Sequence, residues 1–345
     1  MMGKWGYINT QGRFIINPSY DDAKVFKDLL APARSEGKWG YVDKTGNFLL
    51  PPQFQEAEPF SGGFARIKMG GKWGYINNQG KIIINPQFEE CTDFSEGYAM
   101  VRMGGKWGFI DQDGKVFVFT QYDAVRKFSQ GLAPVKMKGS WGYIDKTGKL
   151  VINYQFDDAY SFYDNLARIK MKGNWGYIDK DGRLYIPPMY SDAKNFKSGL
   201  AAVELNGKWG YIDKNGKFTV NPQYESAKSF FNGLAKVKKN GLWGYTDDSG
   251  NLKILAKYDE ANAFKGKFTK VKYKGKYSFI DTEGNFLGSM SFDEAVDFTL
   301  GMAAVYTNGK WGYLNVNGDL AIFTQFDDAR EFGVTKSVAA QEDDD

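Results

Sequence analysis

The chain contains no histidine and a single cysteine among its 345 residues. The first absence removes the side chain that ordinarily titrates near neutrality, and with it Ser-His and Cys-His nucleophile pairs and histidine-ligated zinc or haem. The second excludes an intramolecular disulfide and a thiolate metal cluster built within one chain. No run approaches 18 consecutive apolar residues, and the opening MMGKWGYINTQ lacks the apolar stretch of a signal peptide. Charge imbalance is scarce too: 45 basic and 41 acidic residues leave a net +4, which disfavours nucleic acid as a partner. These absences give the expectation of a protein that is not an enzyme, with no cofactor, no metal and no membrane insertion; a cytoplasmic location is favoured.

What is present is a period. Trp5, Trp39, Trp73, Trp107, Trp141, Trp175, Trp209, Trp243 and Trp311 are separated by steps of 34 residues or a multiple of it, and Tyr277 fills the missing place. A fixed period of this size signals a repeat architecture. Within one unit the runs FARIKM, KWGYI and KIIINP are rich in β-branched and aromatic residues and are split by glycine turns, so each unit reads as an antiparallel meander. Helical-hairpin repeats of the same length are excluded by that density of glycine and β-branched residues. The expected fold is all-β, with ten 34-residue β-meander repeats over residues 1–340 as a single array and an acidic tail at 341–345. The chain opens at KWGYI and carries a strand of the complementary phase at Lys336–Ala340. That pairing of ends favours a closed propeller-like ring over an open β-solenoid or superhelix.

The turns fix the register. Glu36-Gly37, Gly70-Gly71, Asn206-Gly207 and their equivalents suit two-residue hairpin loops, which need positive φ. The second turn, as in Asp43–Gly46, suits a type I turn closed by a left-handed glycine. A two-residue loop at Gly70-Gly71 places Lys68 opposite Trp73, Ile67 opposite Gly74, Arg66 opposite Tyr75 and Ala65 opposite Ile76. The basic stems then lie over the tryptophan face, with cation–π pairing of roughly 0.5–1 kcal/mol per pair. Gly74 leaves a notch on the other face, and the expectation is that an aromatic of the neighbouring unit fills it. The alternative is a glycine that marks a bend or bulge.

After the third strand, steps such as Pro86-Gln87-Phe88 lead to an acidic pair, a small residue and a phenylalanine, as in Asp157-Asp158-Ala159 to Phe162. These are satellite core anchors in a connection, with room for a short fourth strand. Cys91 occupies the small-residue place and reads as a buried alanine substitute, not a nucleophile. The Asp-x-Asp/Asn-Gly steps at Asp111–Gly114, Asp179–Gly182 and Asp213–Gly216 offer too few ligands for calcium and read as turn chemistry.

The combined signature of KWGYID, Asp-x-x-Gly, Pro-Gln-Phe and Asp-Asp-Ala resembles the WG-repeat proteins, also called KWG repeats, of bacteria and some eukaryotes. The resemblance spans about 340 residues, implies a β-repeat array used for binding, and carries over no catalytic residue. It departs at Tyr277-Ser278, which replaces Trp-Gly, and at Lys336–Ala340. A fainter likeness, at Asn206-Gly207-Lys208-Trp209, is to the cell-wall-binding repeats of Gram-positive surface proteins. Ten similar units argue against one special catalytic constellation. The leading expectation is a non-catalytic scaffold that binds a protein or other multivalent macromolecule through repeated surface positions, with Arg66, Lys68, Lys136, Lys170, Lys238 and Tyr277 as candidate partner-binding residues. The alternative is a carbohydrate or cell-envelope binding module using Trp and Tyr faces on a glycan.

Overall fold

The computed structural model describes residues 3–332, so the expected closing strand Lys336–Ala340 and the acidic tail 341–345 lie outside the described residues. Among the described residues there is no helix. The chain falls into two compact units, residues 3–127 with 298–332 and residues 128–297.

In the first unit, the sheet that holds KWGYIN shows how a 34-residue period becomes a blade. Its strands, in spatial order, are Glu56–Ala57, Phe64–Met69, Lys72–Asn77 and Ile82–Phe88, all antiparallel. The central hairpin has the register that the loop length dictates: Lys68 faces Trp73, Ile67 faces Gly74 and Arg66 faces Tyr75. Both loop residues are left-handed, Gly70 at φ 58° and Gly71 at φ 76°. In the second turn the Asp43 carboxylate accepts hydrogen bonds from the amides of Thr45 (2.8 Å) and Asn47 (3.1 Å), which is why an acid or amide opens it. The second unit repeats the plan, for example in Asp158–Ala159, Ala167–Met171, Asn174–Ile178 and Leu184–Tyr190. The fold class is all-β and propeller-like, as the period implies.

The glycine after tryptophan has a different partner from the one expected. A β-carbon on Gly74 would stand 2.4 Å from the carbonyl oxygen of Ile84 and 2.7 Å from the nitrogen of Pro86, both backbone atoms of the same sheet's third strand. No aromatic of a neighbouring sheet fills the notch. The third strand bulges over it: Trp73 pairs with Phe88 and Tyr75 with Ile84, so two residues of one strand span four of the other. The bulge tolerates Pro86, whose missing amide would break a regular ladder.

The glycine that does meet the neighbouring sheet is the one closing the second turn. Gly114, at φ 78°, would set a β-carbon 2.7 Å from the side chain of Ile84, an isoleucine of the preceding sheet. The same contact joins the first sheet to the last within the first unit, where Gly12 lies against Ile322. That contact is what a propeller-like arrangement requires of its terminal sheets.

The core sits between consecutive sheets. Tyr41, Phe54, Ala57 and Phe60 pack with Ala65, Ile67 and Ile76 in the first unit, and Tyr177, Tyr190, Ala193 and Phe196 with Ala201, Val203 and Ile212 in the second. Each fully buried Val, Ile or Phe contributes roughly 1.5–3 kcal/mol. The connection supplies the anchors: Ala57 and Phe60 are inaccessible, and so are their counterparts Ala159 and Phe162.

Gly74→Ala should lower stability by about 1–3 kcal/mol, because the added carbon meets backbone that has no rotamer to yield. Gly266 has ordinary φ and open space around it. Gly266→Ala should leave stability unchanged or raise it by about 0.4–1 kcal/mol. Thermal melts of the two variants check both; equal melting temperatures would sink the close-approach account.

Candidate functional site

The hairpin-turn edge of each sheet gathers the acidic and basic residues that recur along the sequence. In several sheets the first acid of the pair reaches across to the turn: Glu89 accepts from the amides of Gly104 and Gly105, both at 3.0 Å, and Asp259 from Gly275 at 3.1 Å. It also pairs with the lysine before the tryptophan, as in Lys4–Asp21 and Lys310–Asp327, and with Lys276 before Tyr277 at Asp293. In several sheets the second acid stands opposite a basic residue of the next strand, Glu56 opposite Lys68 and Glu260 opposite Lys272, whereas Asp192 faces Glu204. The two charge phases therefore form one edge of alternating sign.

The candidate partner-binding residues lie on or beside that edge. Lys68 donates to Glu56 at 2.7 Å and lies 5.3 Å from the Trp73 ring centroid. Lys136, Lys170 and Lys238 stand over Trp141, Trp175 and Trp243 at 6.0, 5.6 and 5.8 Å. Asp158 faces Lys170, whereas Ser226 faces Lys238, so the acid found elsewhere is missing at Lys238. Arg66 differs from the others: its Nε donates to Asp93 at 2.7 Å and an Nη to the carbonyl of Cys91 at 3.2 Å, both in the next repeat. Arg168 reaches Ala193 and Lys236 reaches Ala261 in the same way, so this phase joins neighbouring sheets. Cys91 is buried, and burial pushes its thiol up to about 11, which suits a core residue.

A residue that sequence reading placed beside tryptophan under the basic stems has another role. Tyr41, Tyr75, Tyr177 and Tyr245 are buried, and each hydroxyl donates to a backbone carbonyl 17 residues on, at 2.6–2.8 Å. Their hydroxyls are pushed up, mainly by burial. The constant spacing from each tyrosine to its carbonyl was the available signal.

Among the described residues, Tyr277 marks a sheet whose third strand is not built. Its hydroxyl donates to Glu260 at 2.9 Å, and Lys270 and Lys272 each lie 5.1 Å from its ring. Ser278 is buried in the place of the close-approach glycine, facing Val271. The facing segment keeps only isolated bridges, Tyr277 to Phe292 and Ile280 to Phe286, and Gly288 stands at φ 71° where other repeats carry a buried isoleucine or valine. A side chain after the aromatic is thus accommodated by a backbone that leaves the ladder, and leaving it calls for glycine on the other strand.

The class defined by these sheets is a propeller-like β-repeat array with a charged, tryptophan-bearing edge. The chain belongs to the WG-containing repeat family, whose pattern matches residues 5–39, 39–73, 73–107, 107–140, 141–175, 175–209, 209–243, 243–277 and 277–311. No curated protein sequence matches it. Among solved structures it is similar to a eukaryotic initiation factor, at 11% identity and a TM-score of 0.56 over 84% of this chain and 94% of that one, a likeness of fold alone. Dihydro-haem d1 dehydrogenase NirN aligns at 12% identity and a TM-score of 0.42, over 79% of this chain and 75% of that one. AztD from Citrobacter koseri aligns at 13% identity and 0.36, over 74% and 89%. At those scores neither bears on this chain.

Two measurements test the edge. Hydrogen bonds hold carboxylates below their usual range: at the edge, from the amides of Gly105 and Gly104 on Glu89 and from Lys272 and Tyr277 on Glu260, and at the second turn from Thr45 on Asp43. A depressed carboxylate stabilises the fold fully above its unfolded value, near about 4, and loses that contribution as pH falls through the folded value. With no histidine to titrate, the melting temperature should be flat from pH 5 to 7 and drop progressively below about 4; a decline beginning at pH 6 contradicts this. In the irregular sheet, Tyr277→Trp, Ser278→Gly and Gly288→Ile together should raise the melting temperature. Gly288→Ile alone should lower it, since Ser278 then blocks the rebuilt strand.

Proposed function

We propose that the chain is a non-catalytic scaffold that binds a protein partner through its repeated edge. The observation that carries this reading is the recurrence of one lysine–tryptophan pair in sheet after sheet, at Lys68, Lys136, Lys170 and Lys238. Weak contacts that recur at the same phase of the repeat add through effective concentration when the partner is extended or multivalent. The alternating acids favour a partner with both charge signs, which a protein segment offers and a polyanion does not. The non-catalytic reading is supported by the direction of the carboxylate shifts at Asp43, Glu89 and Glu260. They are held ionised in turns and ion pairs, whereas a general acid needs its carboxyl raised. A glycan platform would want bare rings, and here Trp39, Trp73, Trp175, Trp209 and Trp243 each carry a cation over the ring.

The test compares proteins captured by the intact chain with those captured by folded variants. Lys170→Glu should retain nearly all of the wild-type partner. Reversing Lys68, Lys136, Lys170 and Lys238 together should abolish its capture while the fold persists by circular dichroism. Full retention by the fourfold variant removes the edge as the contact surface. Loss of the partner from the stable Tyr277→Trp, Ser278→Gly, Gly288→Ile variant would instead mark the irregular sheet as the docking point.

A further inference from the structure

One sheet of the second unit keeps the basic residues of the repeat and lacks their acids. It is built from Ser226–Ala227, Ala235–Lys239, Leu242–Thr246 and Leu252–Tyr258, and three basic phases meet at its tryptophan. Lys236 and Lys238 stand 4.4 and 5.8 Å from the Trp243 ring centroid. Lys228 occupies the phase from which Lys24 and Lys194 stand over Trp39 and Trp209, at 5.0 and 5.7 Å. All three lysines and the tryptophan are half-buried.

Elsewhere each of these phases has a carboxylate. Lys24 pairs with Glu58 at 2.9 Å, Arg66 with Asp93 at 2.7 Å and Lys68 with Glu56 at 2.7 Å. The 34-residue period fixes the places of the corresponding partners here, and they hold Asn262, Ala263 and Ser226. Glu225, the first acid of this sheet, caps the turn by accepting from the Gly241 amide at 3.0 Å. Among the described residues, none of the three lysines forms an ion pair. The effect is felt at Lys236, where burial pushes the ammonium below the usual lysine range and the Lys228 charge pushes the same way. Arg66, at the same phase, is also shielded from water, yet Asp93 beside it holds its guanidinium above the usual value. The flanking sheets are not like this: Asp192 faces Glu204 in the preceding one, and Glu260 pairs with Lys272 at 2.9 Å in the following one.

We infer that Lys228, Lys236 and Lys238 form a binding site for a phosphoryl dianion, free phosphate or a phosphate monoester, against the Trp243 ring. A carboxylate would balance one of the three charges. A phosphate monoester brings about two negative charges and three acceptor oxygens, one for each ammonium, and lysine serves phosphate as a compact point charge. Lys236 can take part although it donates to the Ala261 carbonyl at 2.8 Å, because an ammonium has further protons to donate. Half-burial adds to the attraction, since charges partly withdrawn from water are screened less by salt. The site needs no docking at the repeated edge; where the ester is a side chain of a protein partner, the inference rests on that reading.

The probe is a fluorescently labelled peptide carrying one phosphoserine, followed by anisotropy at constant ionic strength. The intact chain should bind it, and the same peptide with serine or glutamate in that position should bind about tenfold more weakly or less. Lys228→Gln should weaken binding of the phosphopeptide about tenfold. Ser226→Glu with Ala263→Asp, which restores two of the acids, should weaken it as much and leave the melting temperature unchanged or raised. Inorganic phosphate that competes at concentrations near the peptide's own dissociation constant supports the site with free phosphate as its ligand, and competition only far above that supports it with a phosphorylated side chain. Unchanged binding in both variants, equal binding of the glutamate peptide, or no binding by the intact chain overturns the inference. Both variants leave Lys68, Lys136 and Lys170 in place, so capture of a partner through the edge can persist when this site fails and can fail when it holds.

Discussion

There is no room for a β-carbon after the tryptophan, and much of the architecture depends on that lack of room. At Gly40, Gly74, Gly108 and Gly210 an added carbon would lie 2.4 Å from a carbonyl oxygen of the third strand. Such an approach lets the third strand cross the hairpin and absorb two extra residues, which returns its terminal Tyr or Phe to a position opposite the tryptophan. That aromatic then packs into the core between sheets. The chain continues from it into the acidic pair and the short strand of the next sheet, so a single empty position sets where each repeat hands over to the next.

The same economy governs the polar groups. Acids and bases that look like two stripes in the sequence meet at one edge, where the first acid caps a glycine turn and the second faces a lysine. Exposed pairs of this kind are worth about 0–1 kcal/mol each. Their repetition matters less for stability than for display, because it presents the same lysine and tryptophan pair in several sheets at one phase of the repeat. Buried tyrosine hydroxyls and the arginines reaching alanine-phase carbonyls carry the polar connection from sheet to sheet. Those groups sit away from water, where an unmade hydrogen bond is costly.

Nearly all of the local structure was legible in the sequence. Period, strands, both turn types and the hairpin register followed from glycine, asparagine and aspartate at fixed spacing, and the placement of Lys68 over Trp73 followed from that register. What escaped was the meaning of Gly74. A hairpin register says which residues lie opposite each other, whereas the bulge is a property of the third strand, whose PPQF or NPQF step was visible only as a proline. The interlocking glycine was also real but misplaced: it is the turn glycine, as at Gly114 against Ile84, because contacts between sheets are not encoded in any pairing rule within one sheet. The site was legible as residue types and phases. Which acid meets which base was not, since that depends on which strand the acidic connection joins.

Two of the exceptions to the pattern come in compensating pairs, and this is the strongest sign that the constraints are physical. Ser278 fills the close-approach position, and Gly288 appears on the facing segment, where the backbone must turn aside. At Trp5, Arg330 of the last repeat both stands over the ring and donates to the Ala23 carbonyl, the two tasks that separate basic residues share in other sheets. Random decay of a repeat would scatter substitutions without regard to their partners. In these two cases the substitution falls beside a second one that restores the lost space or the lost charge, so geometry there offers a second solution. The irregular sheet at Tyr277 is therefore a distinct local structure in its own right, and among the described residues it presents a surface that the regular repeats do not.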